Sequence, residues 1–433
     1  MSGKLDYINM IKKVSPYNLK KGILYLRHYG PKGFWIKLTE RFQKSDIDYK
    51  EWYENHRPSE QELERERKQV FEYSPKISIL VPVYNTPEVF LKQMIQSVRK
   101  QTYTNWELCI ANANPSNQEV SSILNVAGKK DNRIKVVDVP ENEGIAQNTN
   151  RALEIATGEF VGLLDHDDLL EENALYEIVS CLNKDRKTDV LYTDEDKVTT
   201  DLDEYFSPNF KPDFNLDMLR ANNYICHFSA IRADLMKKLQ FRSNYDGAQD
   251  YDLFLRAVYE IGKEGPKDTE GRLLYPQVYM DRKIAHIPQI CYHWRAHLGS
   301  TADNPQSKLY AYEAGKRALE DFARQNGWQA EICHTNHLGF YRIDWKDIFV
   351  QRPDVVAVCS NECRRGRVAE SGTLPGAKYG EHVFAGLKKR YSGYLHRASM
   401  TVDVTDPPLQ QTIYRKDAEQ KQGRIVYLPG SKQ

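Results

Sequence analysis

The stretch Phe160–Leu170, FVGLLDHDDLL, decides the fold. Phe160, Val161, Gly162, Leu163 and Leu164 make a short apolar run with the length and residue types of a strand buried on both faces. It ends in acid. Asp165, Asp167 and Asp168 arrive where such a strand would leave the core, at the carboxyl edge of a sheet, where open α/β folds hold their ligands. Three crowded carboxylates repel one another, so water, a cation or a positive partner must spread their charge. The economical reading is a divalent-metal site serving a phosphorylated ligand.

Working outward, the same texture repeats. Ile77–Val83 (ISILVPV) reads as an apolar strand, Pro87–Gln101 as an amphipathic helix begun by proline, and Glu107–Ala111 as a second strand. A strand at Ile134–Val139, a helix at Ile145–Ala156 and a strand at Asp189–Thr193 continue the alternation, with helices at Tyr251–Tyr259 and Lys308–Asn326 further on. Such a βαβ series predicts an α/β fold with a mainly parallel sheet flanked by helices, and a nucleotide-type ligand across the strand ends.

The chain has 433 residues, a net charge of +1, 40% hydrophobic and 28% charged residues. That is an ordinary globular composition with no basic excess to suggest nucleic acid. No apolar run approaches the length needed to cross a bilayer, and the opening MSGKLDYINMIKK lacks a signal-peptide core, so a cytoplasmic location is expected. Seven scattered cysteines favour buried thiols over a disulfide framework.

Three segments follow from the composition along the chain. Residues 1–75 form a helical segment and connector. Within it residues 10–45 interleave lysine and arginine with Trp35, Tyr25 and Leu26, which suits either a helix lying on the inner face of a membrane or a solvated hairpin. Pro58–Lys68 reads as a polar helical connector. Residues 76–328 hold the alternating domain. Residues 329–433 form a smaller C-terminal appendage, and Lys416–Gln433 reads as a polar tail.

Five motifs stand in a telling order: PVYN at Pro82–Asn85, NEG at Asn142–Gly144 with Asn150 beyond, LLDHDD at Leu163–Asp168, GAQDYDL at Gly247–Leu253, and WRAH-x2-ST at Trp294–Thr301. In this order the chain resembles the family 2 glycosyltransferases, inverting enzymes with the GT-A fold, in which nucleotide-diphospho-sugars are the donors. The longer forms YTDEDK, FKPDFN, NYICH and YHWRAH-x2-ST resemble the branch that builds bacterial surface polysaccharides of rhamnan type. Residues 353–417 faintly resemble the middle of a second such domain without its nucleotide-binding beginning or acid-bearing end, which implies a non-catalytic appendage serving dimerisation or acceptor binding.

Sugar transfer needs charge stabilisation on a departing diphosphate, a base for the acceptor proton and a held nucleoside. For the first, a hard cation, Mn²⁺ or Mg²⁺, takes one or two protein carboxylates and fills its shell with phosphate oxygens and water. The resemblance implies Asp167 as one ligand and His297, in the late loop, as the other, with Asp165 on the ribose or on the metal through water. Asp168 alternatively caps the next helix, and His293 reads as a packed histidine. Arg295 and Ser300 are candidates for phosphate contact.

For the base, the resemblance places Asp250 where the family carries its catalytic acid; its alternative role is to cap the following helix. Gln249 replaces the acid commonly found beside it. For the nucleoside, Pro82, Tyr84 and Asn85 would flank a pyrimidine ring. Where the family has an aspartate that accepts from the base N3–H, this chain has Asn112, leaving uridine and thymidine donors both open. Asp194, Asp196, His227, Gln249 and Arg295 are candidate contacts to sugar or acceptor, against readings of the YTDEDK acids as a solvated turn and of His227 as a structural histidine. The expected activity is metal-dependent, inverting hexosyl transfer from a UDP- or dTDP-sugar to a growing, lipid-linked bacterial glycan. The alternative is a non-catalytic nucleotide-sugar or glycan-binding subunit. A sugar-phosphate nucleotidyltransferase is disfavoured, because no glycine-rich loop with a basic residue follows Ile77–Val83.

Overall fold

The computed structural model describes residues 48–297, 309–377, 384–418 and 423–429, together with positions 26, 30, 31, 34–36, 38 and 39. The membrane-surface expectation for residues 10–45 and the phosphate expectation for Ser300 fall largely or wholly outside the described residues. Among the described residues no helix is long and apolar enough to cross a membrane. All seven cysteines are free thiols.

In Ile77–Val83 (β1), Ile77, Ile79, Val81 and Val83 enter one core cluster while Leu80 enters the other, so both faces are buried as a central strand requires. The remaining strands are Trp106–Asn112 (β2), Ile134–Asp138 (β3), Phe160–Leu163 (β4), Leu169–Leu170 (β5), Val190–Thr199 (β6), Tyr205–Asn209 (β7), Ser229–Arg232 (β8) and Ile284–Ala296 (β9). They form one sheet in the order β3-β2-β1-β4-β8-β6-β9-β5, with β7 paired to β6. Strands β3, β2, β1 and β4 are mutually parallel, β8 runs against β4 and β6, and β9 runs parallel to β6. Helices Glu88–Arg99, Gln118–Lys130 and Ile145–Glu154 make the crossovers between the parallel strands. Gly162 leaves room for the Phe228 ring from the neighbouring segment: a Cβ at that position would lie 2.7 Å from Phe228 Cζ.

One local expectation is revised. The strand beginning near Asp189 does not end at Thr193 but runs on through YTDEDK to Thr199, paired with β9 across register shifts at Thr193–Glu195. Packing against β9 on one side and β7 on the other holds these acids in extended backbone despite their low strand propensity.

Helices Tyr49–His56 and Glu60–Arg67 lead into the sheet domain. The second carries a capping box between Ser59 and Glu62, and its Leu63 is buried, so the connector is not wholly solvated. Tyr53 stacks on Tyr205, and Tyr49 packs edge-on against Phe210. These contacts join the N-terminal segment to β7 and the loop after it.

Beyond helix Leu309–Gln325, a hairpin of Ala330–His334 and Tyr341–Trp345 precedes a four-stranded sheet. That sheet contains Val402–Asp403, Arg424–Tyr427, Val355–Cys359 and Thr412–Tyr414, in that order. The polar-tail reading of Lys416–Gln433 is corrected, because Arg424–Tyr427 pairs parallel with Val355–Cys359 and buries Val426 and Tyr427. Three apolar residues are too few to show a period, so only pairing reveals the strand. Residues of this sheet share a core cluster with the larger domain. Between the two, Arg352 donates to both oxygens of Asp217 at 2.9 and 3.0 Å and also grips Asp354. Burial alone would raise the Asp217 carboxyl, but Arg352 and Arg220 outweigh it and hold it far below the ordinary carboxylate range.

Candidate active site

The acids of FVGLLDHDDLL leave β4 and are caught by β9. Tyr292 Oη donates to Asp168 Oδ2 at 2.6 Å, and the Arg295 backbone N–H donates to Asp168 Oδ1 at 2.8 Å. Arg295 Nε donates to the Asp167 carbonyl at 2.7 Å, and its guanidinium lies 4.4 Å from the centre of the Phe90 ring. Asp168 is thus an internal strut and not a helix cap. Burial, with Asp167 and Asp165 nearby, pushes its carboxyl well above the ordinary value. Arg295 is itself buried and bonded to protein, so the structure places it as a positioning residue behind the acids and not as an exposed phosphate contact.

Held this way, Asp167 turns its carboxylate outward. His297 Nε2 lies 2.8 Å from Asp167 Oδ2, with the imidazole against Phe90 at 5.3 Å between ring centres. Both side chains stay partly exposed, at 24% and 20%. Among the described residues no group of three His, Cys, Asp or Glu could hold a metal ion by itself. The Asp167–His297 pair nevertheless fits a divalent cation whose other positions are filled from outside the protein, since one carboxylate and one imidazole converge on one accessible point. The mixed oxygen and nitrogen set suits Mn²⁺ better than Mg²⁺.

Asp165 links this pair to the second acidic centre. Burial raises its carboxyl, and it feels the charges of His227, Asp167, His166 and Asp250. Asp250 lies in the first turn of helix Gln249–Glu264, where the helix N-terminus favours a carboxylate. Its Oδ1 accepts from the Tyr251 backbone N–H at 2.9 Å, while Oδ2 accepts from Asn223 Nδ2 at 3.0 Å and from the Cys226 thiol at 2.7 Å. Burial first, and then Asp250, push that thiol far above its ordinary value, so Cys226 stays protonated and donates. Asp165, Asp167, His297 and Asp250 are therefore brought into one neighbourhood from three separate parts of the chain. His227 completes it, stacked 4.8 Å above the Tyr292 ring.

Other expectations are revised. Asp194 and Asp196 do not face this neighbourhood: Asp194 accepts from the Lys211 backbone and pairs with His286 at 2.9 Å, and Asp196 pairs with His293 at 2.6 Å and accepts from Tyr49. Both are buried because an extended strand sends alternate residues to one face, and that face is covered. Glu195, between them, takes the opposite side and shares the surroundings of Cys226 and Asp250. Reading YTDEDK with a period of two would have found it. Gln249 turns back on its own loop, accepting from the Gly247 N–H at 2.8 Å. Asn112 is 1% exposed, and its amide nitrogen donates to Asp138 Oδ1 at 2.9 Å and Ser121 Oγ at 3.2 Å. It is spent inside the protein. On β1, Pro82 lies at the strand end, Tyr84 just beyond it is 46% exposed, and Asn85 accepts from Asn114 Nδ2 at 2.8 Å. His293 is the packed histidine expected. Burial opposes its charge, but Asp196 and Glu171 outweigh that and raise it well above its ordinary value.

The sequence profile described as glycosyl transferase family 2 matches residues 78–240, the span from β1 through the acidic loop and β8 to the end of helix Ala233–Leu239. Residues 78–240 are thus similar in sequence to family 2 glycosyl transferases. Over 258 residues the chain is 40% identical to an uncharacterized protein, y4gI, of Sinorhizobium fredii, covering 58% of this chain and 26% of that one. Over 286 residues it is 28% identical to the O-antigen biosynthesis protein RfbC of Myxococcus xanthus, covering 66% and 21%. It thus spans about a quarter or less of the length of these curated relatives. Among solved structures, S. aureus TarS 1–349 in complex with UDP-GlcNAc is 19% identical with a TM-score of 0.43, covering 59% of this chain and 68% of that one.

Proposed function

We propose that this family 2 domain transfers a sugar, with inversion, from a nucleoside diphosphate donor to a hydroxyl of a growing, lipid-linked bacterial surface polysaccharide. The observation that carries the reading is the convergence of the Asp167–His297 pair with Asp250 around Asp165. The chemistry follows from those positions. The acceptor oxygen forms a bond to the anomeric carbon as the bond from that carbon to the diphosphate breaks, and Asp250 takes the acceptor proton. A single base and attack from the side opposite the leaving group give inversion. The acids around the cleft stabilise the positive character that develops on the sugar ring, as in glycoside hydrolysis. A divalent cation, when bound, neutralises charge on the departing diphosphate. Asp167 and His297 would hold it, Arg295 would keep Asp167 in place from behind, and Tyr84 would offer a ring face to the base.

The kinship with an O-antigen biosynthesis protein supports a polysaccharide acceptor. Residues 329–433 would act as a non-catalytic support for the acceptor side, docked through Arg352. The test is donor hydrolysis and transfer with UDP- and dTDP-sugars, with and without Mn²⁺. Mn²⁺-dependent turnover abolished by D250N is the expected result. One observation favours a non-catalytic nucleotide-sugar-binding subunit instead: both oxygens of Asp250 already hold hydrogen bonds within the protein. Nucleotide-sugar binding without turnover, unaltered by D250N, would establish that second reading.

A further inference from the structure

The residue that reads the base has to be sought again, because Asn112 is engaged within the protein. This step rests on the reading of the cleft as a nucleotide-sugar site. The carboxyl ends of four adjacent strands lie in the lateral order β4, β1, β2, β3. Asp165 follows β4, Tyr84 follows β1, Asn112 ends β2 and Asp138 ends β3. Val83 stands in register with Asn112, and Asn112 with Asp138, so the last two strand ends finish level. With neighbouring strands about 4.8 Å apart, an extended nucleoside diphosphate whose phosphates sit beside Asp165 carries its base past Tyr84 toward β2 and β3.

At that end the polar groups are unevenly available. Both amide hydrogens of Asn112 are directed at Asp138 and Ser121, and its oxygen faces the Asn114 backbone N–H at 3.4 Å. Asp138 is exposed, and among the described residues its carboxylate accepts one hydrogen bond, from Asn112 to Oδ1. We propose that Asp138, held in orientation by Asn112, is the specificity-determining residue for the nucleobase and selects a base whose edge presents a ring N–H, the imide edge of uracil or thymine.

The selectivity follows from donor and acceptor chemistry. An ionised carboxylate only accepts. The N3–H of uracil or thymine donates to it in a charge-assisted bond, whereas N3 of cytosine presents a lone pair to the same oxygen. Exchange of Asp138 for asparagine supplies an amide hydrogen that cytosine can accept. Asn112 acts only through Asp138 and is a positioning residue.

The experiment is calorimetric titration of the full chain with UDP and with CDP in the presence of Mn²⁺, for the wild type, D138A and D138N. Asp138 is exposed, so the fold does not depend on it; circular dichroism of each variant verifies this. The wild type should bind UDP at least about tenfold more tightly than CDP, the range expected for a hydrogen bond to a charged group. D138A should remove most of that preference by weakening UDP alone, and D138N should tighten CDP. A UDP-to-CDP ratio that D138A leaves unchanged, or a wild type with no preference, overturns the assignment of Asp138 while leaving the transferase reading intact. A wild type that binds neither nucleotide overturns the transferase reading and this inference with it.

Discussion

Asp167 Oδ2 and His297 Nε2 stand 2.8 Å apart although 130 positions separate them along the chain. The approach is enforced from behind. Arg295, two residues before His297, donates its backbone N–H to Asp168 and its side chain to the Asp167 carbonyl, so the strand that delivers the histidine also fixes the acid it meets. The pairing of β9 with β6 over ten positions sets where that strand ends. Placement of the two candidate ligands is therefore a property of sheet register.

Substitution of either member of this pair should remove metal-stimulated turnover. Asp167→Asn and His297→Ala are expected to lower Mn²⁺-dependent kcat by about a hundredfold or more, the scale of losing an electrostatic clamp on developing charge. Initial rates across a Mn²⁺ titration measure it. Unchanged stimulation in both variants would remove these residues from the metal reading.

Arg295→Lys should act on the same step indirectly, because lysine cannot reproduce the planar fork that reaches the Asp167 carbonyl. The expected signature is a higher Mn²⁺ concentration for half-maximal rate with a smaller loss at saturation. A loss at saturating Mn²⁺ as deep as that of Asp167→Asn would argue that Arg295 touches the substrate directly.

Asp250→Asn keeps the shape of the side chain and its place in the first helical turn while removing its basicity. Turnover should fall by about a hundredfold to ten-thousandfold, the usual worth of a positioned general base. The KM for donor should move little, since the role proposed for Asp250 is toward the acceptor hydroxyl. Steady-state kinetics with the donor varied at fixed acceptor separate these quantities.

The C-terminal residues are held by a buried charge web, and breaking it should unfold the protein early. Arg352→Ala leaves Asp217 and Asp354 buried without their main partner, a change that costs about 3–5 kcal/mol for a broken buried pair. Differential scanning calorimetry should show a melting point lower by several degrees.

Stability should also depend on acid through Glu107. Burial opposes its charge, but Lys135, Ser78 and Thr157 outweigh this and hold it at about 2, below the ordinary 4.5. A depressed carboxylate contributes stability that is complete above pH 4.5 and lost as the pH falls toward 2, here about 3 kcal/mol in all. Glu107→Gln should weaken the fold at pH 7 and flatten the decline between pH 4.5 and 2. Urea midpoints of both proteins across that range measure the difference.

How far the chain could be read in advance varied with the kind of contact involved. Ile77–Val83 and Phe160–Leu163 were legible because strands buried on both faces leave uninterrupted apolar runs, and the helices between them kept their 3.6-residue period. Asp165 and Asp167 were legible as acids crowded at the end of an apolar strand, whereas Asp250 and His297 came from the resemblance of their motifs to those of family 2 glycosyltransferases. Asp194 and Asp196 misled for a physical reason: burial against His286 and His293 turns charged residues into internal struts, and no local pattern announces partners about ninety residues away. Cys226 and Asn223 escaped notice as partners of Asp250 because each draws its meaning from a neighbour distant in the chain.

The order of strands and helices, the acid-bearing loop after Phe160–Leu164 and the motif order were determined by the sequence itself, since periodicity and local turn chemistry act over a few residues. Which carboxylates share the neighbourhood of Asp165 and which are consumed in the core was decided only by the tertiary structure. A side chain's availability depends on what packs against it, and here β9, the Tyr49–His56 helix and the C-terminal sheet, all remote in sequence, settle that for Asp167, Asp196 and Asp217.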